Sequence, residues 1–426
     1  MRRNLVMAAA VVLIVAGVSW VAVPGLARVR TPIRVGLLHS LTGPMAVNEK
    51  SMVDAEVLAL EEINAQGGLL GRRVEWVVVD GKSDPATFAI EAERLYRDEK
   101  VAVIVGCHSS SSRKMVKEVA EKFGGLLIYP VAYEGLEQSP NILYVGAAPN
   151  QQIIPTVKWC NDRLKAKSFY LLGNDFVWPR AVNTIIKDQL KAIGATLAGE
   201  DYVEFGATDL DAAVARAVAA KPDVILSTLT GNSNPPFYKR IRGGSIDALK
   251  IPIVSFVIAE DELRELPARE MVNDYAVCNY FQAITRAENT EFVRLFKARY
   301  PQDRVTSDTI DSAYNGVKLW AQAVRDAETE EAQYVLTTLG GQSLNAAEGV
   351  ITVDRETLHT WRPLYVGRVR ADGQFDLVWS VSKPIRPVPF PFSRSREEWE
   401  RYLDGLRKGW GGKWVAPEEP AKGPST

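Results

Sequence analysis

Residues 101–114 read VAVIVGCHSSSSRK. The run 101–106 is short, apolar and closed by a glycine, the pattern of a buried strand. Four serines then lead into a segment whose Met115, Val116 and Val119 belong to a helix. Strands that pass through polar loops into helices build open parallel sheets, and ligands of such sheets sit beyond the carboxyl ends of the strands. The serines at 109–112 lie at such an end, so one of them is a nucleophile or several of them hold a ligand.

The same unit recurs on both sides. Upstream, IRVGLL (33–38) is a strand that ends at His39 and Ser40. Val53, Val57, Leu60 and Ile63 then follow near-helical spacing up to a glycine stop at Gly67 and Gly68. VEWVVVD (74–80) is the next strand, and Asp84-Pro85 opens a helix as N-cap and first helical residue. Downstream, LLIYP (126–130) is a fourth strand. The series then restarts with strands at 168–173, 198–203, 224–229 and 251–256 and helices at 180–194 and 209–220. This predicts an α/β chain of two doubly wound parallel-sheet lobes in tandem. Beyond Asp274 come a strand at 275–279, helices near 290–300 and 307–327, and strands at 350–353, 365–369 and 375–379. These pieces are too small for a third domain and read as additions to the first two.

Composition bounds the rest. The 426 residues are 46% apolar and 24% charged, with a net charge of −1, so there is no basic footprint for nucleic acid. Cys107, Cys160 and Cys278 are odd in number and far apart, which shows neither a disulfide framework nor a CxxC pair and leaves a single bridge open. Arg2 and Arg3 precede an apolar run at 5–23 and a small-residue site at Gly25-Leu26-Ala27. Residues 1–30 are therefore a cleaved export signal or an uncleaved membrane anchor, and both place the body outside the cytoplasmic membrane. At the other end, PIRPVPFPF (384–392) is a stiff spacer. Trp399, Tyr402, Leu403 and Leu406 then follow helical spacing. That amphipathic helix docks on the protein's own surface or on a partner, and the last dozen residues are expected to be disordered.

A nucleophilic serine needs a base and an orienting acid, and the pattern G-x-S-x-G is absent from the chain. His108 adjoins Ser109, and neighbouring extended residues point to opposite faces, so it is a poor general base for that serine. A serine that caps a helix and offers hydroxyl and backbone donors to a ligand fits better. Polar and aromatic residues recur at the other strand ends: YPVAYEG (129–135), GNDFVWPR (173–180), TLTGNSN (228–234) and SFVIAEDE (255–262). Such residues can wall and read a small polar solute. His39, His108, Cys107 and Cys278 lack metal-ligand spacing, and no glycine-rich nucleotide motif is present, so no cofactor or metal is expected.

These segments, with LLHSLTG (37–43), ALEEINAQGGLLGR (59–72), GAAPNQQIIP (146–155) and HTWRPLYVGRVRADGQF (359–375), resemble the type I periplasmic solute-binding proteins. GAAPNQQ together with YPVxYEG is similar to the urea and short-chain amide receptors of ABC transporters. The resemblance covers residues 31–385. It implies two lobes joined by a three-segment hinge, with 31–149 plus 275–340 in the first, 150–274 plus 341–383 in the second, and 384–426 as a tail. It implies ligand contacts from His108, Ser109, Ser110, Tyr129 and Tyr133 in the first lobe and from Phe176, Trp178, Asn232 and Glu260 in the second. It further implies lobe closure on urea or an amide, delivery to an ABC permease, and no catalysis. A ligand sensor of the same fold, acting on a signalling partner, is the rival reading, and an amide hydrolase is a third. Two positions depart from the pattern. Phe176 stands where a tyrosine is common, and His108 where a larger ring is usual. The changes imply a less polar second-lobe wall, and they leave a somewhat larger amide or an amino-acid-like solute open beside urea.

Overall fold

The computed structural model describes residues 31–244 and 247–417. The expected leader at 1–30 and the final residues 418–426 lie outside the described residues. The first half runs β1 (Ile33–His39), α1 (Ala46–Ala65), β2 (Val74–Asp80), α2 (Pro85–Arg97), β3 (Val103–Gly106), α3 (Ser110–Phe123), β4 (Leu127–Tyr129) and β5 (Ile142–Tyr144). Its five strands are parallel, in the order β2-β1-β3-β4-β5. β1 and β3 are buried almost throughout because helices cover both faces of the sheet. Local chemistry sets the helix ends. Asp84 accepts from Thr87 N at 2.8 Å to cap α2, and α3 stops at Gly124, whose φ of 60° is the left-handed cap conformation.

The second half repeats the plan with α4 (Ile153–Arg163), β6 (Ser168–Asn174), α5 (Val177–Ile193), β7 (Thr196–Val203), α6 (Asp211–Ala219), β8 (Val224–Thr228), α7 (Asn234–Arg242), β9 (Ile253–Ser255) and α8 (Glu260–Leu263). The chain then continues through β10 (Tyr275–Cys278), α9 (Ala287–Arg299), α10 (Asp308–Ala327), α11 (Ala332–Leu339), β11 (Ser343–Asn345), β12 (Val350–Val353), β13 (Thr360–Val369), β14 (Phe375–Ile385) and α12 (Arg396–Gly409). The second sheet has the order β11-β12-β13-β10-β9-β8-β6-β7, with β14 added to β13. β6 to β10 are parallel, and β13 joins them antiparallel through β10.

The division of the late segments differs from the sequence expectation in two places. Residues 275–278, assigned above to the first lobe, form β10 and pair with β9 and β13 of the second sheet. Residues 341–353, assigned to the second lobe, contribute Ile351 and Val353 to the core of the first, beside Leu339 and Trp320. The reason is the length of β13. Ten extended residues span ~33 Å, enough to reach from one lobe to the other. Its start lies against the first lobe, where Thr360 and Arg362 donate to the carbonyl of Val145 at 2.7 and 3.0 Å. Its later residues pair with β10. α10 and α11 pack on the first lobe, burying Trp320, Val324, Val335 and Leu339 against Val35, Val105 and Ile128. The chain thus passes between the lobes after β5, after β10 and at the start of β13.

β1 ends in a buried charged group. The His39 ring lies between two carboxylates of α1, with Nδ1 3.2 Å from Glu49 and Nε2 2.9 Å from Glu56. Burial alone would lower the histidine pKa, but the two carboxylates outweigh it and push it up to about 10. A folded-state pKa above the unfolded value contributes stability below about pH 6.5, and the contribution is lost as pH rises towards 10. Chemical denaturation of the parent and of His39→Gln at pH 6.5 and pH 9.5 is expected to show a steeper loss in the parent, by more than about 1.4 kcal/mol, the equivalent of one pKa unit. Parallel losses in the two proteins would contradict the ion-paired histidine.

Candidate functional site

β3 and β1 converge at the start of the site. Gly106 has φ of 155°, and a Cβ there would lie 2.0 Å from the carbonyl oxygen of Leu38, so only glycine lets the strands approach. Cys107 follows at φ 65°, a left-handed conformation uncommon outside glycine, and it turns the chain so that α3 begins at the cleft. Ser109 is the N-cap of α3. Its Oγ accepts from Ser112 N at 3.1 Å and lies 2.9 Å from the Oγ atoms of Ser111 and Ser112. The first-turn amides of Ser110 and Ser111 have no protein acceptor among the described residues, as at any helix start.

The Ser110 hydroxyl is committed elsewhere. It donates to Glu134 and accepts from Arg113 Nη1 at 2.9 Å. Arg113 is fully buried. It reaches Glu134 at 2.9 Å and Glu137 at 2.9 Å, and its guanidinium lies 4.9 Å from the Tyr129 ring centre and 4.5 Å from that of Tyr133. Lys114 adds a contact to Glu137 at 3.0 Å. Burial opposes the charged form of Glu137, yet Arg113 and Lys114 hold its carboxyl below the usual range. Neither serine is set up as a nucleophile: the Ser109 hydroxyl caps a helix, and Arg113 occupies a lone pair of Ser110. Burial lowers the His108 pKa, which keeps the ring neutral near pH 7.

A cavity lies between the lobes. His108, Ser109, Ser110, Val131, Ala132 and Met45 line it from the first lobe. Phe176, Trp178, Thr230, Phe256, Val257 and Ala259 line it from the second, and Cys278, Asp308 and Thr309 from the crossing segments. Its volume, counted over positions open to the centre of a water molecule, is about 40 Å³. The lining is mostly apolar, with polar groups at intervals. The indole N–H of Trp178 is buried without a hydrogen-bond partner among the described residues. Asp308 accepts from Asn279 N at 3.0 Å and Tyr280 N at 2.8 Å, and burial raises its pKa.

Of the nine expected site residues, the structure brings His108, Ser109, Ser110, Phe176 and Trp178 to the cavity wall. The other four lie elsewhere. Tyr129 donates to the carbonyl of His108 at 2.7 Å and stands behind the wall. Tyr133 bonds the carbonyl of Glu137 at 3.1 Å and stacks on Tyr144 and His359. Asn232 is exposed, and its backbone N–H donates to the Pro44 carbonyl of the other lobe at 3.3 Å. Glu260 is buried at the start of α8, where Oε1 accepts from Gln282 N at 2.6 Å and burial raises its pKa well above the usual range. Asp308 and Thr309 were not singled out from the sequence. Their signal is TSDT (306–309) at a helix start, which also serves a plain N-terminus. The three cysteines are free and buried, so the bridge left open above is not formed. Among the described residues no group of His, Cys, Asp and Glu is placed to hold a metal ion.

The chain matches the periplasmic binding protein domain over residues 33–396. It is 32% identical over 115 residues to a protein named limonene hydroxylase from Geobacillus stearothermophilus, covering 27% of this chain and 21% of that one. It is 26% identical over 199 residues to the Leu/Ile/Val-binding protein BraC3 of Rhizobium johnstonii, covering 45% and 53%. The chain therefore spans about half or less of the length of these curated relatives. Among solved structures, the solute-binding protein of an ABC transporter from Rhodopseudomonas palustris, in complex with 3,4-dihydroxybenzoic acid, superposes with a TM-score of 0.77 at 20% identity, over 84% of this chain and 99% of that one. With both lobes, the interlobe cavity and a family match across most of its length, this chain belongs to the periplasmic binding protein family.

Proposed function

We infer that the protein is an extracytoplasmic solute receptor that captures urea or a short-chain amide between its lobes and presents it to an ABC permease. The observation that carries the reading is the lining of the interlobe cavity, which offers polar groups from both lobes. These groups are few, which suits a small solute with one carbonyl and one amide group. An amide carbonyl meets donors at the Ser110 amide and the Trp178 indole, and an amide N–H meets acceptors at Asp308 and the threonine hydroxyls. The mechanism is closure: contacts to both lobes favour the closed form by the difference in affinity between the two states. The leader expected at 1–30 supports export, and a permease as partner follows from the family. No chemical step is included.

Calorimetric titration of the protein, stripped of carried-over solute by unfolding and refolding, is the direct test. Saturable heat with urea, formamide or acetamide, none with leucine, valine or 4-hydroxybenzoate, and recovery of the unchanged solute are expected. Saturation by an amino acid or benzoate alone contradicts the amide reading, and turnover of an amide contradicts the receptor. Trp178→Phe removes the indole N–H and keeps an aromatic ring. It is expected to weaken amide binding about tenfold, the equivalent of one lost hydrogen bond, with unchanged thermal stability.

A further inference from the structure

The family match ends at residue 396, and the chain beyond it returns to the ligand cleft. α12 buries Trp399 and Leu403. Tyr402 bonds the Arg180 carbonyl at 2.8 Å, and Arg394 pairs with Asp188 at 2.8 Å. Both partners are on α5, so the helix is docked on the protein's own second lobe. The chain then reverses at Gly411 and Gly412, which have φ of 64° and 86°. Trp414, Val415 and Ala416 run back along residues 175–177. The Trp414 carbonyl accepts from Val177 N at 3.0 Å, Ala416 N donates to the Asp175 carbonyl at 3.0 Å, and Val415 forms an antiparallel bridge with Phe176.

This contact fills a gap in the local chemistry of α5. The helix starts with an N-cap, Phe176, that has no side-chain acceptor, and its third residue, Pro179, has no N–H. The tail carbonyl takes the place of the missing cap on Val177. The backbone so fixed carries Phe176 and Trp178, both in the cavity wall.

The same few residues also touch the first lobe. Lys114 Nζ lies 4.8 Å from the Trp414 ring centre, and Arg407 reaches both that ring, at 5.2 Å, and Glu118, at 3.5 Å. Lys114 and Glu118 are on α3, whose first residue, Ser110, stands in the opposite wall of the cavity. One segment outside the family match therefore joins the two helices whose starts face each other across the ligand space.

We propose that residues 410–416 are a latch that positions Phe176 and Trp178 and holds the two lobes closed, so that a captured solute leaves only when this segment lifts. The closure it controls rests on the receptor reading, but the position of the lobes does not. The test is therefore made first without solute. Full-length Trp414→Ala removes the ring contacts to Lys114 and Arg407, and full-length Ala416→Pro removes the N–H that bonds Asp175. Circular dichroism and thermal melting establish that each variant is folded. Small-angle scattering of the stripped proteins is expected to show larger radii of gyration for the variants than for the parent. Stopped-flow release of acetamide is expected to be about tenfold faster, the equivalent of a lost helix cap. Folded variants that scatter like the parent overturn the latch, whatever the solute. More open variants in a protein that binds no amide sustain the latch and overturn the amide reading instead.

Discussion

The site depends on one buried cation. Arg113 has no access to water, and its guanidinium is shared among Glu134, Glu137 and the Ser110 hydroxyl while two tyrosine rings flank it. With Lys114 the group holds two positive and two negative side chains, so its net charge is zero. Such a group adds little to stability over an apolar core, but loss of one member strands a buried charge and costs roughly 3–5 kcal/mol. Its structural effect is to fasten the first turn of α3 to the loop after β4. That loop supplies Val131 and Ala132 to the cavity, and the helix supplies Ser109 and Ser110. The contacts of Arg113 and Ser110 to Glu134 and Glu137 hold the start of the helix against that loop.

The second wall is built on weaker terms. Phe176 and Trp178 sit at a helix start that lacks a side-chain cap, and the backbone there is completed by the tail. The two walls therefore differ in what fixes them: an internal ion network on one side, a peripheral segment on the other. Asn232 fits this picture from the far rim, where its N–H reaches across to Pro44.

Much of the fold was legible because buried parallel strands read as short apolar runs and amphipathic helices repeat at 3.6 residues. β5, β11 and α8 were not, since three or four residues are too few to show a period, and the helices α4, α7 and α11, of 11, 9 and 8 residues, were not read either. The lobe boundaries were misplaced for a different reason. Whether β10 and the β11–β12 hairpin belong to one sheet or the other is set by their pairing with β13, and pairing partners leave no trace in local pattern. The site was partly legible: the strand-end rule led to the segments around 106–112 and 173–180, and the family resemblance picked out His108, Ser109, Ser110, Phe176 and Trp178 within them. Tyr129 and Tyr133 obey the same rule, yet they face Arg113 and lie a layer behind. An arginine in the run SSSSRK looks like a solvated helix residue, and its burial becomes evident only once Glu134 and Glu137 are seen to fold over it. The tail was read as a helix that docks on self or on a partner. The docking is on α5, and the return of Trp414 to the cleft had no sequence signal.

The central claim is that a small amide is held between the start of α3 and the start of α5. A crystal structure grown in the presence of acetamide tests it most directly. The account predicts the intact solute in the interlobe cavity, its carbonyl oxygen within hydrogen-bonding distance of the Ser110 amide or the Trp178 indole, with both lobes in contact. Acetamide bound at any other place, or a cavity that holds only water in crystals with acetamide well above millimolar concentration, would contradict it.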